Sequence, residues 1–316
     1  MRVVSADEID RALTFPVLVD ALAAAFRGGL TAPARNHHGI ARPGGDATLL
    51  LMPAWTDGPG GFSGVKVVTV YPDNATRSLP SVLGTYLLLD GSSGMPLAAL
   101  DGTRLTLWRT AAASALGARH LARPDATRLL MVGAGALSPH LVRAHAGQRP
   151  LTDIALWARR PEAAEVLAAT LRAEGLPARA ATDLAAEAGA ADIVSCATLS
   201  REPLIRGDWL KPGAHLDLVG AFNLSMREAD DEALARAAVH VDTQAALTEG
   251  GDVAVAIAAG TFAAEGVRGD LAGLVTGRSP GRTSPKDVTL FKSIGASLED
   301  LAAAILVWSR LPAEGA

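Results

Sequence analysis

The stretch that most constrains the fold of this chain is a short apolar run followed by closely spaced glycines. Residues 129–132 read Leu-Leu-Met-Val, which is typical of a strand buried on both faces. Gly133 and Gly135 then supply a tight turn, and the next residues open a helix whose N-terminal amides can hold an anion. Ser138 replaces the third glycine of the dinucleotide fingerprint, which weakens the motif. The segment predicts a dinucleotide site at Gly133, Gly135 and Ala136, with a ligand-free glycine turn as the alternative.

The end of the next predicted strand indicates which dinucleotide is bound. Residues 153–157 form this strand, and Arg159 and Arg160 follow it closely. Folds that prefer NAD place an acidic residue here for the ribose 2′-hydroxyl, whereas an arginine accommodates a 2′-phosphate. Two guanidinium groups suit bidentate phosphate binding. We therefore predict NADPH as the cofactor, with NADH used less well.

Short strands alternate with helices from residue 128 onward, which predicts a doubly wound parallel sheet. The predicted strands are 129–132, 154–157, Ile193–Cys196, 215–219 and 239–242. The predicted helices are Ser138–Ala146, 162–174 and 183–188.

The region before residue 128 has a different pattern. Its predicted strands are 47–52, 64–70, 83–89 and 96–100, separated by turn signals rather than by helices. They predict an antiparallel or mixed sheet in a separate lobe, to which the final helix, Ser297–Arg310, is expected to return. Because this lobe has few helices to cover its sheet, we also expect a homodimer.

Composition excludes several classes of protein. A net charge of −4 over 316 residues, with no basic stripe, argues against a nucleic-acid partner. No apolar run approaches the length of a membrane span, and the N-terminus carries charges where a signal peptide would be apolar. Cys196, the single cysteine, fits a reducing compartment, and its apolar context predicts a buried thiol. We expect a cytoplasmic protein without a membrane partner, and we assign no metal site.

Three basic residues in the first lobe stand among apolar or small residues. Lys66 lies between β-branched residues on a predicted strand, and a buried lysine must either reach the surface or meet an anion. Arg109 precedes Thr-Ala-Ala-Ala-Ser, which we interpret as a helix start with amides available to a phosphate or carboxylate. Arg35 lies in a loop before the first strand. Each alone is explained by a solvated or structural ion pair, but if they converge they form an anion site.

Six segments together resemble the ornithine cyclodeaminase/mu-crystallin family, in order over almost the whole chain. They are GVKVVT at 64–69, RTAAAS at 109–114, VGAG at 132–135, KPGAH at 211–215, READD at 227–231 and FKSIG at 291–295. The resemblance implies an α/β fold in which a Rossmann domain with a doubly wound parallel sheet, residues 117–289, is inserted in a smaller mixed α+β lobe. That lobe, residues 1–116 and 290–316, would bind substrate and form the homodimer interface.

The resemblance also implies roles for individual residues. The family's carboxylate-binding and catalytic basic residues fall on Arg35, Lys66 and Arg109, and we place Ser81 with them as a substrate contact. The remaining expected cofactor contacts are Thr110, Thr198, Val219, Ala221 and Ser293.

One departure from the family bears on the type of reaction. Ornithine cyclodeaminases carry an aspartate after the segment matching Val219-Gly220, where it engages the substrate's amino group, and this chain has Phe222 there. Phenylalanine neither accepts a proton nor holds an ammonium by charge, although core packing explains it equally well. The residues around Phe222 are more similar to those of bacterial pyrroline-2-carboxylate/piperideine-2-carboxylate reductases.

We therefore predict NADPH-dependent reduction of cyclic α-imino acids to proline or pipecolate. The reaction needs a carboxylate clamp, a proton for the imine nitrogen and a nicotinamide held for hydride transfer. Lys66 can serve in the clamp or as the proton donor, and the second role requires a lowered pKa. The alternatives are ornithine cyclodeamination, an alanine or opine-type dehydrogenase, and ligand binding without catalysis. Ring size stays open, because a methylene is worth only about 1–3 kcal/mol in an apolar pocket.

Overall fold

A computed structural model describes residues 1–42, 45–77 and 79–312 of the chain. The strands are β1 (Arg2–Val4), β2 (Leu30–Thr31), β3 (Asn36–Ile40), β4 (Ala47–Thr56), β5 (Phe62–Val70), β6 (Val82–Asp90), β7 (Pro96–Asp101), β8 (Arg128–Val132), β9 (Asp153–Trp157), β10 (Ala178–Ala180), β11 (Ile193–Cys196), β12 (His215–Leu218), β13 (Ala237–Val241), β14 (Val267–Asp270) and β15 (Val288–Lys292). The helices are α1 (Ala6–Ala12), α2 (Phe15–Arg27), α3 (Gly102–Leu121), α4 (Ser138–Ala146), α5 (Pro161–Ala173), α6 (Leu184–Ala190), α7 (Asp231–Arg236), α8 (Ala246–Glu249), α9 (Gly251–Ala259), α10 (Leu271–Thr276) and α11 (Ser297–Arg310).

The chain divides into two compact units. Unit 1 contains Met1–Arg109 and the stretch from Ala296, and unit 2 contains Thr110–Gly295. The boundary falls inside helix α3, directly after Arg109. Across the described ranges, no helix has both the length and the apolar composition needed to cross a membrane.

Unit 2 is built on a parallel sheet in the order β10-β9-β8-β11-β12-β15-β13-β14. Its first five strands have the 3-2-1-4-5 order of a Rossmann domain, so the predicted doubly wound fold is confirmed. The last strand of the chain, β15, takes the next place, between β12 and β13. The carboxyl ends of β8, β11, β12 and β15 therefore lie side by side, where ligands bind in open sheets of this type.

The apolar runs read from the sequence form the core of unit 2. Residues 129–132 of β8 are all buried, as expected for a strand covered on both faces. Leu130 and Val132 belong to a core that also includes side chains from the neighbouring strands: Val194, Cys196, Leu216, Leu218 and Leu290. The prediction that Cys196 is a buried thiol is confirmed.

Unit 1 contains the predicted mixed sheet, in the order β1-β7-β6-β5-β4-β2, with β3 also on β4. Strands β4 to β7 are antiparallel neighbours, whereas β1 runs parallel to β7. Helix α11 packs against β4, β5, β6 and α2, which confirms its expected return to the first lobe. Along β5, Lys66 and Val68 are buried while Val65 and Val67 are half-buried, so Lys66 faces the interior of the unit.

The structure differs from the predictions made from the sequence at several helices. Helix α3 begins at Gly102, so the predicted helix start at Arg109 is wrong. The amides near Arg109 are bonded within the helix and are not available to an anion. Helices α1 and α2 were not predicted, although Ser5 and Glu8 form a capping box that marks the first of them.

Candidate active site

The glycine turn after β8 has two glycines with different roles. Gly133 has φ +116°, and a Cβ added to it would lie 2.6 Å from the Ala197 carbonyl oxygen, so only glycine fits. Gly135 is exposed, and a Cβ added there would have no atom within 4 Å. The backbone at Gly135 therefore faces open space, which a bound pyrophosphate would fill. Ala136, also exposed, continues the turn towards α4.

A cleft of about 490 Å³ lies beside this turn, between α4 and α5. Its lining includes Gly135, Arg143, Arg160 and Glu162. The Arg143 guanidinium is held by Glu174, with Nε and Nη2 2.7 and 2.6 Å from its two carboxylate oxygens. Arg160 and its exposed neighbour Arg159 have no ion pair within the described part of the chain, so both guanidinium groups are available to a ligand.

Most of the expected cofactor contacts lie at the carboxyl edge of the parallel sheet. Thr198 follows β11, Val219 and Ala221 follow β12, and Ser293 follows β15. The Ser293 hydroxyl is buried and has no hydrogen-bond partner among the described residues. Thr110 lies instead on α3, where it is buried. The open backbone at Gly135 and the buried hydroxyl of Ser293 both fit a dinucleotide, whose polar groups would contact them.

Unit 1 brings two of the predicted basic residues onto one carboxylate. Lys66 Nζ lies 2.9 Å from Asp300 Oδ1 and 2.8 Å from Oδ2, and Arg109 Nε donates to Asp300 Oδ1 at 3.0 Å. Arg109 Nη1 also donates to Glu299 Oε2 at 2.8 Å. Lys66 is 2% exposed and Arg109 5%, and both acidic side chains are fully buried. We call these four residues the Lys66 cluster.

The Lys66 cluster answers one question that the sequence left open. A buried lysine had to meet an anion or reach the surface, and here it meets Asp300 on α11. Nζ also lies 3.4 Å from the hydroxyl of Thr106, on the same helix as Arg109. Asp300 and Glu299 were not predicted, because acidic residues in the first turn of a helix are ordinarily explained by its dipole.

Burial sets the protonation behaviour of the Lys66 cluster. Removal from water and, to a smaller extent, the nearby Arg109 charge lower the pKa of Lys66 from 10.5 to about 8, while the charge of Asp300 opposes both effects. Tyr86, opposite Lys66 in the β5–β6 register, is also fully buried. Burial and the Asp300 charge raise the pKa of Tyr86 well above 10, so its phenol stays neutral. Of these two side chains, Lys66 can therefore change its charge near neutral pH, whereas Tyr86 cannot.

The structure places the other two expected substrate residues on separate segments of unit 1. Arg35 lies in the connection between β2 and β3 and is half-buried. Ser81 precedes β6, where its carbonyl accepts a hydrogen bond from the Tyr71 amide at 2.8 Å. Neither lies on the strand or the two helices that carry the Lys66 cluster.

Phe222 follows β12 and is 39% exposed. The interpretation of Phe222 as a packed core residue is therefore wrong. Its amide donates to the Gly220 carbonyl at 2.9 Å, in a tight turn at the carboxyl edge of the sheet. The phenyl ring presents no acid or base at this position.

Comparison with known proteins places these features in a family. The profile of the ornithine cyclodeaminase/mu-crystallin family matches residues 2–315. The Δ1-pyrroline-2-carboxylate reductase of Paracoccus denitrificans is 42% identical over 279 residues, covering 88% of each protein. The ketimine reductase mu-crystallin of Rattus norvegicus is 33% identical over 313 residues, covering 96% of this chain and 95% of that protein.

Solved structures of other proteins are also similar to this chain. The Δ1-pyrroline-2-carboxylate reductase of Thermococcus litoralis, solved in complex with NADH and L-proline, aligns with a TM-score of 0.92 at 29% identity. The alignment covers 98% of this chain and 97% of that one.

The ion pairing in the Lys66 cluster leads to a prediction about stability. Asp300→Asn should lower the free energy of unfolding by about 3–5 kcal/mol, because it leaves buried cations without their shared carboxylate. Denaturant unfolding measures this loss. Glu165→Gln is the control, since Glu165 pairs with Arg172 on an exposed helix face and should change stability little. Equal, small effects of the two substitutions would contradict the buried ion pairing.

Proposed function

Because this chain belongs to the ornithine cyclodeaminase/mu-crystallin family, we propose that it is an NAD(P)H-dependent reductase of cyclic α-imino acids. The proposed substrates are Δ1-pyrroline-2-carboxylate and Δ1-piperideine-2-carboxylate, which are reduced to proline and pipecolate. Relatives from Paracoccus denitrificans and Thermococcus litoralis are named for the first of these reactions. Within this chain, the proposal rests on Lys66. Its buried ammonium pairs with Asp300, and the pKa of Lys66 is lowered to about 8.

Reduction of a cyclic imine adds a hydride to carbon 2 and a proton to the ring nitrogen. When bound, the nicotinamide cofactor supplies the hydride. We assign the proton to the Lys66 ammonium, whose N–H bond breaks as the N–H bond of the product forms. Lys66 then regains a proton from solvent. A pKa of about 8 favours this role, because a proton donor works best when its pKa lies near the working pH.

The other members of the Lys66 cluster support this proton transfer. Asp300 holds Nζ in place, and the Arg109 charge favours release of the proton by lowering the pKa of Lys66. We assign binding of the substrate's carboxylate and ring to Arg35, Ser81 and Arg109. Charge-assisted contacts of this kind fix the orientation of a small substrate.

The competing function from another class is ornithine cyclodeamination, which Phe222 does not support. An assay with Δ1-pyrroline-2-carboxylate distinguishes the candidates, with the absorbance of reduced cofactor and L-proline formation followed together. The proposal expects one proline for each NAD(P)H oxidised. Ammonia release from ornithine without net oxidation of cofactor would indicate a lyase, and binding without turnover would indicate a ligand-binding protein.

For the cofactor, we propose NADPH in preference to NADH. Arg159 and Arg160 support this, because both are exposed and unpaired within the described ranges and Arg160 lines the cleft beside Gly135. Guanidinium groups bind a 2′-phosphate in two-pronged geometry. Glu162 lines the same cleft and favours a ribose hydroxyl instead, so the preference depends on the two arginines.

Replacing both Arg159 and Arg160 with alanine should raise the KM for NADPH far more than the KM for NADH. The reason is that only NADPH carries the phosphate which these side chains would bind. Steady-state kinetics with each cofactor measures the difference. Arg172→Ala, on the helix α5 that follows the two arginines but paired with Glu165, is the control and should change neither KM. Equal effects of the double substitution on the two cofactors would show that the pair does not bind the phosphate.

Lys66→Ala should reduce turnover roughly a hundredfold, or about 2–4 kcal/mol of transition-state stabilisation, with cofactor binding nearly intact. Lys66→Arg should rescue poorly, because a guanidinium does not release a proton near neutral pH. In the parent enzyme, turnover should fall as the pH rises through about 8, where the ammonium deprotonates. The measurements are the turnover number and the cofactor dissociation constant of each variant, together with the pH profile of the parent enzyme. Near-parental rates in Lys66→Ala would remove Lys66 from the mechanism.

We also propose a homodimer formed through unit 1. Val67, Leu83 and Ala99 form the apolar part of one face of the mixed sheet, which Thr69 and Thr85 also line, and Leu83 is 41% exposed. Burial of exposed apolar side chains against a second copy is a common basis for symmetric dimers.

Sedimentation should therefore detect a dimer at micromolar concentration. Val67→Glu should shift the protein towards monomer, because it introduces a charge into the apolar face. Val166→Glu, at a 69% exposed position of α5, is the control and should leave the dimer intact. A stable monomer for the parent chain would refute the proposal.

A further inference from the structure

A second buried polar cluster lies at the carboxyl edge of the parallel sheet in unit 2. Its centre is Glu228, which is fully buried in the connection between β12 and α7. Its Oε1 accepts hydrogen bonds from the Thr198 amide at 2.6 Å and the Thr198 hydroxyl at 2.8 Å. Its Oε2 accepts from the amides of Gly220 and Ala221, at 2.7 and 3.3 Å. One carboxylate therefore joins the loops that follow β11 and β12.

The backbone that carries Glu228 is itself anchored. Asp252 Oδ1 accepts hydrogen bonds from the amides of Glu228 and Ala229, at 2.7 and 3.0 Å. Asp252 Oδ2 lies 3.2 Å from Lys292 Nζ at the end of β15, and both side chains are fully buried. Glu228 is thus tied to α9 and β15 as well as to the two loops.

The two loops approach each other closely where Glu228 binds them. A Cβ added to Gly220 would lie 2.1 Å from the Thr198 carbonyl oxygen and 2.5 Å from Glu228 Oε1. No side chain fits between the loops, so the carboxylate and the glycine together fix their separation. A buried carboxylate is costly unless it is fully hydrogen-bonded, and here four donors meet it.

These loops carry Thr198, Val219 and Ala221, the residues assigned above to the cofactor. Resting on the proposed function, we infer that Glu228 is a positioning residue that holds both loops in the conformation that binds the nicotinamide cofactor. It acts through its hydrogen bonds to Thr198, Gly220 and Ala221 rather than by contact with substrate. Preformed loops bind tightly because their ordering cost is not incurred on binding.

The charge of Glu228 connects this role to pH. Burial raises the pKa of its carboxyl to about 7, with Lys292 on β15 opposing the shift and Asp252 on α9 adding to it. Cys196 on β11 also faces the cluster, but burial raises the pKa of its thiol well above 9, so it stays neutral. Protonation would replace one acceptor site of Glu228 with a donor that faces other donors. Cofactor affinity should therefore weaken as the pH falls below about 7.

Fluorescence titration of the full chain with NADH, between pH 6 and 8.5, tests this inference. NADH is the probe because the 2′-phosphate of NADPH would itself titrate near pH 6. Glu228→Gln keeps the shape of the side chain, but it replaces one accepting carboxylate oxygen with an amide NH₂ group that faces the N–H and O–H donors of the loops. It should raise the dissociation constant for NADH by about tenfold to a hundredfold and abolish its pH dependence.

Asp192→Asn is the matched control. Asp192 is also a buried carboxylate that accepts two backbone amides, from Thr127 and Arg128 at 2.9 and 3.0 Å, but at the opposite edge of the same sheet. It should lower stability without changing the NADH dissociation constant more than about twofold. An equal rise in both variants would attribute the effect to general destabilisation and overturn the inference.

Three further outcomes distinguish a failure of this inference from a failure of the proposed function. If Glu228→Gln binds NADH as tightly as the parent, the positioning role is wrong while the proposed function stands. If Glu228→Gln does not fold, the parent's pH dependence decides, and a flat profile from pH 6 to 8.5 overturns the inference. A parent that binds neither NADH nor NADPH overturns the proposed function itself.

Discussion

The pairing of Lys66 with Asp300 is the interaction on which the proposed chemistry of unit 1 depends. An ammonium removed from water is expensive, and a carboxylate within 3 Å is what makes its burial tolerable. Asp300 comes from the last helix of the chain, 234 residues away, so the site is complete only when α11 has packed on β4, β5 and β6. Arg109 shares the same carboxylate, and its positive charge lowers the pKa of Lys66, which favours release of the Lys66 proton.

A different constraint organises unit 2. Insertion of β15 between β12 and β13 puts Ser293 beside the loops that follow β11 and β12. Dinucleotides bind at the carboxyl edge of a parallel sheet. In this chain, buried charged side chains hold the loops at that edge. Glu228, Asp252 and Lys292 hold its loops by hydrogen bonds and ion pairing that water does not reach. The glycine turn at Gly133 follows β8 and lies at the same carboxyl edge, next to the loop that follows β11.

Local patterns in the sequence predicted much of this architecture. The apolar run at 129–132 became a fully buried strand, and Gly133 adopts the positive φ that its turn requires. The sequence also predicted that Lys66 either reaches the surface or meets an anion, because an unpaired ammonium is costly to bury, and in the structure it meets Asp300. Such inferences succeed where a residue's nearest neighbours in sequence determine its environment.

Long-range pairing accounts for most of what the sequence did not reveal. Nothing local to β15 indicates that it enters the sheet between β12 and β13. Asp300 looks like an ordinary first-turn acid, and its pairing with Lys66 follows only from the packing of α11. The start of α3 at Gly102 was missed because Thr103 to Trp108 carries no clear helical signal ahead of the small-residue run.

We propose that burial makes the Lys66 ammonium a proton donor near neutral pH. The chain has four lysines, so NMR of protein labelled with ¹³C at lysine Cε gives few resonances, and Lys66→Arg assigns one of them. That resonance should titrate near pH 8, well below the ordinary lysine range of about 10.4. A Lys66 resonance that titrates at its ordinary value would contradict the account.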